Sequence, residues 1–288
     1  MFIKKVIVIT GGSEGLGFEA AKFFLNAGAY VAICARSIKG LKSAAASLKG
    51  LGYSDDKLYY ENLDVSEEAM VNIFVNNIFK KFHKIDVLLN NAAIYGPKGF
   101  AHTSPMDEWV QAINVNLIGS FNMIRAVVPY MQVEKYGKII QIAGGGAASS
   151  FPMFSAYSTS KVAVVRLCEN ISIELAPWNI EINSIAPGAL NTRLLDEVLS
   201  AGSENTGQDF YLKSLRQKES GGTPLEIPIN LIKFLASSES DGISGKFISA
   251  PWDKWDIFKD HIDDLRNSDV FTLKRIIGKD RKYEWGDV

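Results

Sequence analysis

The stretch "VIVITGGSEGLG", Val6 to Gly17, decides how the rest of the chain is read. Its first half is an unbroken run of Val and Ile ending in Thr10, the composition of a strand covered on both faces. Its second half places four glycines directly before a helix-forming segment. Glycines at a strand-to-helix junction permit a tight turn, close backbone approach to a pyrophosphate and close packing of helix on strand. The free N–H groups and positive dipole of the helix N-terminus then favour phosphate. A glycine-rich loop alone is weak evidence; at this junction it points to a dinucleotide.

Working outward, further β-rich runs fall at residues 30–35, 57–63, 87–90, 138–143, 181–185 and 246–249. Helical patterns lie between them at 16–27, 66–82, 107–131, 155–176 and 225–237. Strand-helix alternation of this regularity predicts an α/β fold, a Rossmann-like doubly wound parallel sheet. A single domain over residues 1–250 with a C-terminal extension over 251–288 is expected. The polar segment 192–222 interrupts the alternation after a strand's carboxyl end, where a mobile lid would lie. In the extension, Trp255, Phe258, Ile262 and Leu265 recur at helical spacing, which suits a helix docking on the domain or on a sister subunit.

The 288 residues carry a net charge of only −1, which gives no electrostatic case for nucleic acid or an anionic membrane surface. No apolar run approaches the roughly 20 residues of a membrane-spanning helix. The opening "MFIKKVIVIT" reads as a buried first strand rather than a signal peptide. Cys34 and Cys168 sit in apolar runs and form no motif, as expected of reduced core thiols in a cytoplasmic protein. His83, His102 and His261 lie far apart, so no metal site is expected.

The second strand ends "ICARS", with Ala35 where an acidic residue would accept hydrogen bonds from a ribose 2′-hydroxyl. Arg36 follows, and a guanidinium can hold a 2′-phosphate through paired charge-assisted hydrogen bonds, with the Ser37 hydroxyl assisting. Arg36 as a solvated surface charge is the bland alternative, and the acidic Glu14 inside the glycine loop weighs against the 2′-phosphate without reversing the preference. The balance favours NADP(H), with NAD(H) possible.

Several ordered motifs resemble the classical short-chain dehydrogenases/reductases over roughly residues 1–250. They are "TGGSEGLG", Asp64-Val65 after the third strand, "NNAA" at residues 90–93, "NVNLIG" containing Asn116, "PGALNT", and Tyr157-Ser-Thr-Ser-Lys161. The "NNAA" segment departs from the family's Asn-Asn-Ala-Gly at Ala93. The resemblance implies pyrophosphate contacts from Gly11, Ser13, Gly15, Leu16 and Gly17, and adenosine contacts from Arg36, Ser37, Asp64 and Val65. It further implies that Asn91, Ala92, Pro187, Gly188 and Thr192 line the cofactor, together with Tyr157 and Lys161. It also implies a homodimer or homotetramer assembled through the helices at 107–131 and 155–176.

Hydride exchange between a nicotinamide and a carbonyl carbon needs a proton at the carbonyl oxygen. Tyr157 is the candidate acid/base, although an ordinary phenol near 10 is too weak a base at neutrality. Lys161, one helical turn on, can present its charge on the same face and favour the phenolate. By resemblance Lys161 also binds the nicotinamide ribose, and Asn116 holds a water that links the lysine to solvent. The family's serine stands thirteen residues before the tyrosine, and here that place is Gly144. Three readings stay open: backbone N–H groups of the glycine run polarise the carbonyl, Ser149, Ser150 or a substrate hydroxyl substitutes, or the protein binds cofactor with little turnover.

The expected activity is therefore interconversion of a secondary alcohol and a ketone on a small molecule, a sugar or sugar derivative being one candidate. The alternative is a non-catalytic NADP-binding sensor or scaffold. A sugar-nucleotide epimerase of the extended branch is disfavoured by the glycine spacing.

Overall fold

The structure, a computed structural model, describes residues 2–285. Seven parallel strands form one sheet in the order β3-β2-β1-β4-β5-β6-β7. These are β1 (Val6–Thr10), β2 (Tyr30–Ala35), β3 (Leu58–Asn62), β4 (Val87–Asn90), β5 (Gly137–Ile142), β6 (Ile180–Ala186) and β7 (Phe247–Ser249). β1, β4 and β5 are buried along their whole length, which is why β1 (VIVIT) and β4 (VLLN) read as apolar runs without alternation, while β5 also buries Lys138 and Gln141. The strand order reverses between β1 and β4, and the carboxyl ends of strands flanking such a point open a crevice for ligands.

The helices are α1 (Gly15–Asn26), α2 (Ile38–Gly50), α3 (Glu68–Phe82), α4 (Met106–Ile113), α5 (Gly119–Glu134), α6 (Ser155–Leu175), α7 (Arg193–Thr206), α8 (Gln208–Ser220), α9 (Glu226–Leu235) and α10 (Ile262–Asn267). They cover both faces of the sheet and divide the core into two layers. Phe24 of α1 and Ile232 of α9 belong to one, and Phe74 of α3 and Val127 of α5 to the other.

Three elements differ from the sequence expectation. The single helix expected over 107–131 is two helices joined by a π-helical turn, Asn114–Ile118. An inserted residue of this kind often marks a functional site, and here the turn carries Asn116. The polar segment after β6 is a helical hairpin, α7 and α8, whose first helix kinks at Gly202 (φ +75°). In the extension the spacing from Trp255 to Leu265 is realised as a 3₁₀ stretch, Trp255–His261, running into α10. Phe258 and Leu265 are buried there, Trp255 packs on Phe234 with ring centroids 5.7 Å apart, and Lys246 donates to the carbonyls of Ser268 and Val270. The extension thus docks on its own domain. Among the described residues no helix is long and apolar enough to cross a membrane, and no group of His, Cys, Asp and Glu is arranged to hold a metal.

Candidate active site

The glycine loop is stitched to the loop after β4. Thr10 Oγ1 accepts from the backbone N–H groups of Asn91 and Ala92 at 2.9 and 3.0 Å, and Asn91 Nδ2 donates to the carbonyls of Thr10 and Gly11. A Cβ on Gly11 would lie 2.9 Å from Asn91 Nδ2, and its φ of +65° also selects glycine. No side chain caps α1, which leaves its first N–H groups available to phosphate.

These elements wall a cavity of about 590 Å³. Of the sequence candidates, Gly11, Ser13, Gly15, Leu16, Arg36, Ser37, Val65, Asn91, Ala92 and Thr192 line it. Gly17, Asp64, Pro187, Gly188, Tyr157 and Lys161 are not among its walls. Gly17 serves packing, since a Cβ there would lie 2.6 Å from Asn91 Nδ2. Asp64 accepts from the Ser66 N–H and hydroxyl, and its second oxygen faces Arg36 Nη1 at 4.0 Å. Gly188 lies against Thr223, whose hydroxyl accepts from the Ala189 N–H at 3.1 Å and so ties the loop after β6 to the end of the hairpin.

Sequence reasoning missed Cys34, Gly40, Leu63, Val115, Arg193 and Leu194 as wall residues. Gly40 sits in the first turn of α2, where a side chain would crowd Ser37 Oγ at 3.3 Å, so a bare position beside the Ser37 cap was the available signal. Arg193 donates to Glu14 at 2.6 Å and also pairs with Glu197, which Lys98 meets at 3.4 Å. This chain of alternating charges joins the glycine loop, α7 and the loop after β4 across the mouth of the crevice.

Tyr157 and Lys161 stand one turn apart on α6, with Lys161 Nζ 5.5 Å from the Tyr157 ring centre. Lys161 is fully buried and donates to the Ile142 carbonyl at 2.8 Å. Burial away from any carboxylate lowers it to about 7. Burial raises Tyr157 above its ordinary value, with the neighbouring Tyr95 adding to the effect. The expected depression of Tyr157 by Lys161 is therefore not seen in the protein alone: desolvation dominates both groups.

Asn116 is committed on both sides of its amide. Its Oδ1 accepts from the Ile94 N–H and its Nδ2 donates to the Ile94 carbonyl and to Ser160 Oγ, each at 2.9 Å. Ser160 in turn donates to the Tyr157 carbonyl at 2.6 Å. One amide thus braces the loop after β4 against the helix that carries Tyr157. Oδ1 and the main-chain carbonyl, which accepts from Ser120 Oγ at 2.8 Å, each keep a second lone pair that a relay water can use.

Gly144 is buried at the end of β5 with φ +142°, and a Cβ there would lie 3.2 Å from the Tyr157 hydroxyl. The count to this position is thus matched by geometry: residue 144 faces the tyrosine directly. Ser149 and Ser150 are exposed and border a separate surface depression with Ser158 and Thr159. Aromatic rings enclose the tyrosine. Tyr95 lies 4.7 Å away centre to centre, and Phe210 of α8 packs edge-on against Phe151 and Phe154 at 4.9 and 5.3 Å.

Residues 5–202 match the family model described as short chain dehydrogenase. The chain belongs to this family. Among its relatives, the 2-(R)-hydroxypropyl-CoM dehydrogenase of Xanthobacter autotrophicus is 32% identical over 245 residues, covering 84% of this chain and 95% of that one. The crystal structure of levodione reductase superposes with a TM-score of 0.78 at 26% identity, covering 86% of this chain and 96% of the other. That of NAD+-bound xylitol dehydrogenase gives 0.77 at 26%, covering 86% and 98%. As a short-chain dehydrogenase the protein is an oxidoreductase of alcohol and carbonyl groups that uses a nicotinamide cofactor. The bare glycine cradle, the uncapped α1 and the cavity they wall fit such a dinucleotide.

Proposed function

We propose that the protein interconverts a secondary alcohol and a ketone, with Tyr157 as general acid/base, Lys161 as its electrostatic partner and Asn116 as the brace that positions both. A bound nicotinamide supplies or accepts the hydride at the substrate carbon. Tyr157 gives its phenolic proton to the carbonyl oxygen in reduction and, as phenolate, takes the alcohol proton in oxidation. The carrying observation is that the Tyr157 hydroxyl has no hydrogen-bond partner among the described residues and is not sealed from solvent. A phenol that the fold leaves without a partner, with a desolvated lysine one turn away, is free to serve a ligand. Its raised pKa keeps the proton on the oxygen, which is the form reduction needs.

NADP(H) is preferred over NAD(H) because the cavity ends at Arg36, Ser37 and Gly40, with Ala35 in place of an acid. The contacts to the dinucleotide are assigned to Gly11, Ser13, Gly15, Leu16, Arg36, Ser37, Val65, Asn91, Ala92 and Thr192, with Pro187, Gly188, Tyr157 and Lys161 toward the nicotinamide. The α7–α8 hairpin acts as the lid. The aromatic enclosure supports a ketone with an apolar ring face. The extension's tryptophans offer no stacking face for a sugar derivative, since Trp252 is 85% exposed and Trp255 packs on Phe234. The exposed Ile118, Phe121, Val162 and Trp178 along and beside α5 and α6 support a homodimer or homotetramer, which light scattering tests. The two buried, unpaired cysteines agree with a cytoplasmic location.

The bare Gly144 keeps one second reading alive, a cofactor-binding sensor or scaffold without turnover. Following nicotinamide absorbance with NADPH and a panel of cyclic and aryl ketones separates the two. Turnover in the wild type, lost in Tyr157→Phe with cofactor binding retained, supports the enzyme. Tight cofactor binding with no turnover on any ketone supports the sensor.

A further inference from the structure

We propose that Tyr95 supplies the second hydroxyl donor to the substrate oxygen, the role left open by Gly144; this rests on the oxidoreductase reading above. Tyr95 follows β4 at the carboxyl edge of the sheet, on the loop that Asn116 clamps through both backbone groups of Ile94. The next residue, Gly96, takes φ +70° and lets the loop press against α4, where a Cβ would lie 2.7 Å from Ala112 Cβ. Gly99 then anchors the loop to the segment before α6 by donating to the Met153 carbonyl at 2.9 Å. The Tyr95 ring is thereby fixed edge-on to Tyr157, the centroids 4.7 Å apart and the planes at 65°.

The half-buried Tyr95 hydroxyl, like that of Tyr157, makes no hydrogen bond within the described residues and is not sealed from solvent. The fold uses neither hydroxyl, so a ligand oxygen can take the place of water there without breaking a protein hydrogen bond. Burial and the Glu197 carboxylate push Tyr95 up to about 12, so it stays a neutral donor throughout the physiological range. Gly144, which faces Tyr157, offers no competing side chain beside the Tyr157 hydroxyl. In this arrangement Tyr95 donates one hydrogen bond and keeps its proton, while Tyr157 transfers its own; the donor strengthens as charge develops on the substrate oxygen.

Tyr95→Phe keeps the ring and its packing and removes only the hydroxyl. With NADPH and acetophenone or cyclohexanone as probes, kcat is expected to fall about 10²-fold with KM changed far less, as for loss of one such donor. The melting temperature stays at the wild-type value, because the hydroxyl has no protein partner. In the dead-end complex with NADP+ and the same ketones, the infrared carbonyl band, shifted to lower frequency in the wild type, moves back toward the free ketone in Tyr95→Phe. Wild-type turnover accompanied by an unchanged kcat and an unchanged band in Tyr95→Phe overturns this inference alone. Absence of both turnover and a band shift in the wild type removes the oxidoreductase reading and this inference with it.

Discussion

Gly144→Ser restores on paper the hydroxyl that the family pattern asks for, and the structure says that it will damage the enzyme. Residue 144 takes φ +142° and ψ 171°, a region open essentially to glycine alone, where a side chain costs about 1–3 kcal/mol. The added Cβ would also lie 3.2 Å from the Tyr157 hydroxyl, so the phenol must give by a few tenths of an ångström. At about 2–4 °C per kcal/mol for a chain of this size, the melting temperature should fall by about 2–12 °C. Displacement of the reacting proton donor should lower kcat/KM by about tenfold, since misplacement of 1 Å costs about a hundredfold. Circular-dichroism melts and nicotinamide absorbance with acetophenone measure both quantities, with Gly144→Ala as the control. Strain and crowding arise from the Cβ, so the two variants should behave alike. A Gly144→Ser protein with wild-type stability and raised kcat/KM would refute the reasoning and show that the position is merely short of a hydroxyl.

Three other substitutions test separate parts of the account. Arg36→Leu should weaken NADPH about 10–100-fold, the worth of a charge-assisted hydrogen bond, and leave NADH within a few-fold, as fluorescence titration would show. Asn116→Ala orphans the Ile94 N–H and carbonyl together, so chemical denaturation should report a loss of about 2–4 kcal/mol, with kcat falling as Tyr95 and Tyr157 lose their common brace. Lys161 is depressed to about 7 from an ordinary 10.5, so between those values the unfolded chain binds the extra proton and stability rises with pH. The rise should extend from about pH 7 toward 10 in the cofactor-free protein and be absent from Lys161→Met, compared by urea midpoints.

The sheet's centre was legible because burial on both faces writes itself into sequence as apolar runs such as VIVIT of β1 and VLLN of β4. β1, β2 and β4 run over the expected residues, and the remaining strands shift by a residue or so at their ends. The π-helical turn at Asn114–Ile118 was not legible, because "NVNLIG" continues an ordinary helical pattern. Its cause is tertiary: Asn116 bonds Ile94, a residue far away in sequence. The α7–α8 hairpin is polar and helix-forming in sequence, but its aromatic anchor, Phe210, gains meaning only when Phe151 and Phe154 arrive from the loop before α6. Tyr157, Lys161 and Gly144 could be placed by the family resemblance, which fixes their spacing. Tyr95 could not, since no spacing rule joins it to Tyr157; only the clamped loop brings the rings together. The electrostatics were the least legible, because charge pairing can be guessed from neighbours on a helix while desolvation requires knowing what covers them.

Transfer of deuterium from NADPH labelled at its hydride position to a ketone tests the central claim most directly. Wild-type protein incubated with acetophenone or cyclohexanone should yield the secondary alcohol with one deuterium on the carbinol carbon by mass spectrometry. Tyr157→Phe should bind the labelled cofactor as tightly and yield about 10²–10⁴-fold less labelled alcohol. Undiminished labelling by Tyr157→Phe, or tight cofactor binding by the wild type with no label on any ketone of the panel, would contradict the account.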